Sequence, residues 1–209
     1  MVQSVERLEA SGPAVRRREI LAAASRLFRA RGLHATGMRE IAAELGMTAG
    51  NLYYYFADKQ ALLAFCQEST LDELMAQAKR IAAQDVSAAA RLRRLLVGHV
   101  VALNETHPGS LAHLEIEALE PDHRAPLLRK RKRYEQLFRQ LIETGIADGS
   151  FRPVDPGLAT LALLGALNWT VKWFRSSGEL TAAEVGDRFA ELFLSGLVAG
   201  SPGTAANRT

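Results

Sequence analysis

Apolar positions recur at helical spacing along most of this chain, and nowhere do they alternate as a half-buried strand would. Ile20, Leu21, Ala24, Leu27 and Phe28 mark a first helix over Val15 to Arg31, with Gly32 as its stop. Met38, Ile41, Ala42 and Leu45 repeat the stripe more briefly from Gly37, and Gly46 ends it, expected in the left-handed conformation. Thr48 suits the N-cap of a third helix, and Met47 before it can pack on Leu52 as a hydrophobic staple. Two short helices around a tight apolar turn, from Thr36 to Phe56, read as a helix-turn-helix. The second of them ends in polar and aromatic groups that a core does not require.

The rest of the chain keeps the same helical spacing over longer stretches. Asp58 caps a fourth helix carrying Leu62, Leu63, Phe65, Leu71, Leu74, Met75 and Ile81. After a break at Gln84 to Val86, Ser87 opens a fifth with Leu92, Leu95, Leu96, Val100 and Leu103, ending before Pro108. A short segment from Gly109 to Leu119 precedes a long helix from Asp122 to Ala147, closed by Gly149. Asp155 and Pro156 open the next, to about Arg175, and Thr181 with Glu184 forms a capping box for the last. The expected fold class is all-α, with about nine helices in two layers. Its expected parts are a flexible arm (1–14), a three-helix helix-turn-helix domain (15–60), a larger helical domain (61–199) and a disordered tail (200–209).

Composition narrows the class. At 209 residues and 48% apolar content the chain can bury a real core. The longest apolar run, Leu158 to Val171, is interrupted by Gly165 and Asn168 and falls short of the roughly 20 residues of a membrane span. No secretory signal is visible, and the single cysteine, Cys66, leaves no internal disulfide, so a cytoplasmic setting is expected. Charge is uneven: residues 1–59 hold 9 Lys/Arg against 6 Asp/Glu, and the rest of the chain holds 17 against 17. The whole excess of +3 therefore belongs to the first domain, as expected if only that part meets a polyanion.

Linked residues in this region carry a resemblance. Ala24, Leu27 and Phe28, then Gly32, Thr36, Ile41 with Ala42, Gly46, the run Leu52 to Phe56, and Lys59 with Leu62 together resemble the DNA-binding domain of the TetR family of bacterial transcription regulators. The resemblance covers about Arg18 to Leu63. It implies a homodimer whose third helix enters the major groove, a C-terminal domain whose small-molecule effector releases DNA, and no catalytic activity. One departure is Gly37, where the family usually offers a hydroxyl as N-cap; Gly costs only a few tenths of a kcal/mol there.

On the third helix, Ala49, Gly50 and Asn51 occupy the first turn, placed to face base edges. Asn51 can donate and accept, the pattern that reads adenine; Ala49 can pack on a thymine methyl; Gly50 lets the backbone approach. Arg17, Thr36, Thr48, Tyr53, Tyr54, Tyr55 and Lys59 are the candidates for phosphates, although one tyrosine, with Tyr53 first in line, is expected to be shared with the core. Arg16 to Arg18 are equally read as a solvated helix start.

The last two helices are rich in small residues, Ala159, Ala162, Gly165 and Ala166 on one and Gly196 on the other. This suits packing across a two-fold axis, and a palindromic double-stranded operator follows from such a dimer. Asn168, Trp169, Lys172 and Trp173 resemble, more weakly, the C-terminal domain of members that answer to acyl-CoA thioesters. With His99 and Leu103 they form the expected effector set for a hydrophobic acid or acyl-CoA; the alternatives are tryptophans that fill the dimer interface and a satisfied core histidine. Arg129 to Arg133 reads as a solvated helix face or a coenzyme A phosphate site. His113 and Glu117, four apart on a helix, are a minimal metal pair without visible further ligands. No nucleophile elbow, zinc-protease helix or phosphate-cradling Gly loop is present, so no catalytic residue, metal or cofactor is expected. The rival readings are an effector-independent dimeric DNA-binding protein and a helical enzyme.

Overall fold

The computed structural model describes residues 12–106 and 115–198. They form eight α-helices: α1 (Pro13–Arg31), α2 (Met38–Glu44), α3 (Ala49–Tyr55), α4 (Lys59–Ala82), α5 (Ala88–Val101), α6 (Pro121–Ala147), α7 (Pro156–Trp173) and α8 (Ala182–Leu197). A π-helical turn, Ala102–Thr106, continues α5, and a 3-10 turn, Ile116–Ala118, precedes α6. No strand occurs among the described residues, only an isolated antiparallel bridge between Phe151 and Val198. None of these helices is long and apolar enough to cross a membrane. Of the expected arm, Pro13 and Ala14 already belong to α1. Residues 1–11 of the arm, the tail from Gly200 and most of the segment from Gly109 lie outside the described residues.

The chain divides into two compact units, one comprising the chain up to Leu71 with Thr106–Arg129, the other Asp72–Glu105 with the chain from Lys130 onward. The first unit is built on the three-helix pattern read from the sequence. Ile20, Ala24 and Phe28 of α1 meet Met38, Ile41 and Ala42 of α2, Leu52 and Phe56 at α3, and Leu62, Leu63 and Cys66 of α4. Ile116, Leu119 and Leu127, distant in sequence, complete the same core. Gln60 holds that segment in place: its amide donates to Ala118 O at 3.0 Å, and its carbonyl oxygen accepts from Glu120 N–H at 3.1 Å. Cys66 is fully buried, and burial pushes its thiol up to about 12, so it stays a neutral core group.

In the second unit α5 and α8 pack with their backbones close: a Cβ on Gly186 would lie 2.7 Å from Val97 Cα. Leu92, Leu96 and Val100 of α5, Leu103 of the π-helical turn, Phe138 and Ile142 of α6, and Leu163 and Leu167 of α7 fill the interior. Phe151 rests in the space left by Gly145, where a Cβ would come within 2.3 Å of its ring. The caps read from the sequence are in place. Ser87, Asp155 and Thr181 accept from Ala90, Leu158 and Glu184 N–H, and Glu184 closes the box on Thr181 N–H at 2.8 Å.

Candidate nucleic-acid interface

The turn between α2 and α3 is fixed by hydrogen bonds at both sides. Gly46, at φ 63°, is left-handed; its N–H donates to Ala43 O at 3.0 Å, and Met47 N–H donates to Ala42 O at 2.9 Å. This is a Schellman motif, which satisfies the last carbonyls of α2 within three residues. Met47 then packs against the core, and Thr48 Oγ1 accepts from Asn51 N–H at 3.2 Å, starting α3. Leu52, fully buried, pins the middle of α3 and Phe56 its end. Consequently one side of α3 faces away from the core, with Gly50, Asn51, Tyr53 and Tyr54 exposed and Ala49 half-buried.

Gly50 has open space where a Cβ would stand. The fold itself therefore does not require glycine at this position. Tyr54 is 80% exposed and Tyr53 48%, whereas Tyr55 packs against the core. The tyrosine shared with the core is thus Tyr55 and not Tyr53, as helical spacing explains: residue 55 lies three after Leu52 and shares its face, while residue 53 lies beside it. Tyr54 meets the Tyr55 ring edge-on at 5.2 Å.

Three of the expected phosphate contacts have other partners. Thr36 is buried and its hydroxyl donates to Gly32 O at 2.9 Å, closing the turn after α1, so it has no surface to offer a phosphate. Lys59 Nζ donates to Leu33 O at 2.6 Å; burial lowers its pKa, and the charge of Glu40 opposes that. Arg17 lies with its guanidinium 5.5 Å over the Phe56 ring and donates to Tyr55 O at 3.4 Å. Arg16 is buried beside Glu19 at 2.6 Å. At Gly37, the missing cap hydroxyl is offset from the other side: Glu40 Oε2 accepts from Gly37 N–H at 2.5 Å.

The six residues expected to hold an effector separate into two groups. His99 is buried on α5, with Nδ1 3.0 Å from Tyr134 Oη and Nε2 3.1 Å from Asn168 Oδ1. Asn168 Oδ1 can only accept, so Nε2 carries the proton and Nδ1 accepts from the tyrosine hydroxyl. Burial holds the ring's pKa down at about 4 against the opposing Asn168 hydrogen bond, and burial also pushes the Tyr134 phenol up. Leu103 is fully buried; next to it Asn104 Nδ2 donates to Thr170 Oγ1 at 2.8 Å and to Val100 O at 2.9 Å. Val100 O is the carbonyl that the backbone N–H of residue 104 would take in an α-helix, so this side chain accompanies the π-helical turn. Trp169, Lys172 and Trp173 are exposed on α7. Nothing local in the sequence singles out Tyr134, Asn104 or Thr170, because partners 35 and 66 positions apart leave no local pattern.

Elsewhere the basic run from Arg129 splits, with Lys130 on Asp72 at 2.6 Å and Lys132 on Glu135 at 2.6 Å. Of the minimal metal pair, His113 lies outside the described residues, and Glu117 pairs with Arg124 at 2.6 Å. No group of three metal-ligating side chains occurs among the described residues.

A short helix held rigidly by a capped turn, with its polar and aromatic face outward, defines a helix-turn-helix DNA-binding protein. Residues 20–65 match the family model for bacterial regulatory proteins of the tetR family, and residues 85–197 match a tetracyclin-repressor-like C-terminal domain. The HTH-type transcriptional repressor KstR2 of Rhodococcus jostii is 30% identical over 192 residues, 90% of this chain and 94% of that one. The structure of the ketosteroid regulator KstR2 of Mycobacterium tuberculosis superposes with a TM-score of 0.81 at 28% identity, over 88% of this chain and 96% of that one. AibR, solved with isovaleryl coenzyme A and operator DNA, superposes at 0.76 with 28% identity, over 88% and 98%. The chain belongs to the TetR family of transcription regulators, whose members are not enzymes.

Proposed function

We propose that this chain is a dimeric transcriptional repressor that holds a palindromic operator through α3 and leaves it when a hydrophobic acid or acyl-CoA thioester binds the second unit. The observation that carries the DNA half is the face of α3. Asn51, Tyr53 and Tyr54 are exposed and Gly50 is glycine without a structural demand for it, while Leu52 anchors the opposite side. In this reading Asn51 reads a base edge, Ala49 and Gly50 bring the helix close, and Thr48, Tyr53 and Tyr54 meet phosphates, with Lys59 limited to what its bond to Leu33 O leaves free.

The dimer half is supported by an apolar face on the last two helices. Leu158, Leu161, Trp169 and Leu192 are each more than half exposed, an unusual area of large apolar side chains to leave in water. A groove of about 300 Å³ between α7 and α8, lined by Leu158, Ala162, Leu192 and Phe193 among others, lies on the same two helices. The effector half is supported by the resemblance of the Asn168 to Trp173 segment and by AibR, which was solved with an acyl-CoA. Such an effector acts only through differential affinity for two states, and shifting DNA occupancy from 99% to 1% requires about 10⁴-fold. The repressor acts on the chromosome and hence in the cytoplasm.

The test starts from a pool of random-sequence duplexes. The expected result is enrichment of a duplex with two inverted half-sites about one helical turn apart. Isovaleryl-CoA, longer acyl-CoA thioesters, free fatty acids and CoA alone are then titrated against the complex by fluorescence anisotropy. Failure to enrich any duplex removes the DNA reading. Enrichment without release by any thioester or acid favours the effector-independent dimer instead.

A further inference from the structure

Arg17 sits where a basic side chain is ordinarily assigned to phosphates, yet it meets the far end of the recognition helix and, beyond it, Phe65 of α4. We propose that Arg17 is a positioning residue: it clamps the C-terminal end of α3 and so sets the angle at which Asn51, Tyr53 and Tyr54 are presented. The proposal rests on the reading of α3 as the DNA reader.

The clamp has three parts. Arg17 Nη2 donates to Tyr55 O at 3.4 Å, and Tyr55 is the last residue of α3, one of the carbonyls without an intrahelical partner. The guanidinium carbon lies 5.5 Å from the Phe56 ring centroid and 6.0 Å from that of Phe65, and these two rings lie 5.2 Å apart. One planar cation thus ties α1 to the end of α3 and to the first turns of α4. A positive charge at a helix C-terminus also complements the helix dipole.

The need for a clamp follows from length. At seven residues α3 is two turns long, too short to hold its own shape, so its direction depends on what fixes its two ends. The N-terminal end is held by Thr48 and the Schellman turn. At the C-terminal end, Phe56 N–H reaches back to Leu52 O at 3.1 Å, and to the packing of Tyr55 and Phe56 on the core Arg17 adds a hydrogen bond from another helix. Tilting about the N-terminal anchor would move Tyr53 and Tyr54 away from any fixed position on DNA. Lys cannot replace Arg in this role, because lying over the Phe56 and Phe65 rings while donating to Tyr55 O requires the planar guanidinium.

The experiment measures dissociation constants of wild type, Arg17→Gln, Arg17→Lys and Phe65→Leu for the enriched duplex and for random duplex, each over a range of salt. For a clamp, Gln and Lys both weaken the enriched duplex by about three- to fivefold. Random duplex and the salt slope stay near wild type. Phe65→Leu has a like effect, and the Arg17→Gln/Phe65→Leu double variant adds little to either. For a phosphate contact, Gln lowers the slope by about one and weakens both duplexes, and Lys restores them; that result overturns the proposal. Amide exchange in the free protein is the DNA-independent arm: Phe56 N–H should exchange faster in Arg17→Gln while the α1 core around Ile20 and Phe28 stays protected. Unchanged exchange at Phe56 also overturns the clamp. If no duplex is enriched, the DNA reading fails by itself, and the exchange measurement still decides whether Arg17 holds α3.

Discussion

His99 makes stability depend on acid in a calculable way. Its ring is held neutral between Tyr134 and Asn168 with a pKa of about 4, against 6.5 in an unfolded chain. The folded pKa is the lower one, so between these values the unfolded state binds more protons, and stability falls as pH falls from 6.5 toward 4. Relative to neutral pH, the loss from this one group is about 2 kcal/mol at pH 5 and about 3 kcal/mol at pH 4, where it levels off. His99→Gln removes the titration while keeping a polar side chain. It should be less stable than wild type at pH 7.5, since buried Tyr134 and half-buried Asn168 lose good geometry. The gap should then narrow by about 2 kcal/mol on going to pH 5. Urea unfolding followed by circular dichroism, at one protein concentration so that dimerisation does not intrude, measures both chains at each pH. Taking the difference between them cancels the carboxylates that titrate in the same window. A gap that stays constant from pH 7.5 to pH 5 would refute a buried, neutral His99.

Asn51→Ala should weaken the enriched duplex by about 1–3 kcal/mol while leaving random duplex nearly unchanged, measured by anisotropy; an unaltered ratio would end its role as a base reader. Leu161→Glu places a charge in the exposed apolar face of α7, and sedimentation should show the dimer giving way to monomer, with loss of affinity for the two-half-site duplex. Gly186→Ala forces a methyl to within 2.7 Å of Val97 Cα, which should cost about 1–3 kcal/mol in thermal or urea unfolding; a neutral result would mean that α5 and α8 can separate freely.

Much of the DNA-reading unit was legible locally. Gly46 lies at φ 63° as its place after the α2 stripe predicts, and Thr48 accepts from Asn51 N–H as an N-cap; in the second unit the capping box of Thr181 and Glu184 is formed. Each of these depends on residues within four positions of one another, where the backbone leaves few options. Thr36 and Lys59 were assigned to phosphates by chemical type, yet one hydroxyl closes a turn and one ammonium holds Leu33 O. A side chain's type gives its capacity to bond, while its partner depends on the direction it leaves the backbone.

The same division holds for the chain as a whole, beginning with the helix-turn-helix from Thr36 to Phe56. The sequence by itself determined that the chain is helical, where most helices begin and end, and that α3 turns Leu52 inward and Asn51 outward, because these follow from a 3.6-residue period and short-range capping. Only the tertiary structure decided that Ile116, Leu119 and Leu127 complete the core of the first unit. It also decided that His99 belongs with Tyr134 and Asn168 instead of with exposed Trp169 and Trp173, and that Arg17 lies against the end of α3. These are pairings across tens of residues, set by how helices pack, and no local periodicity records them.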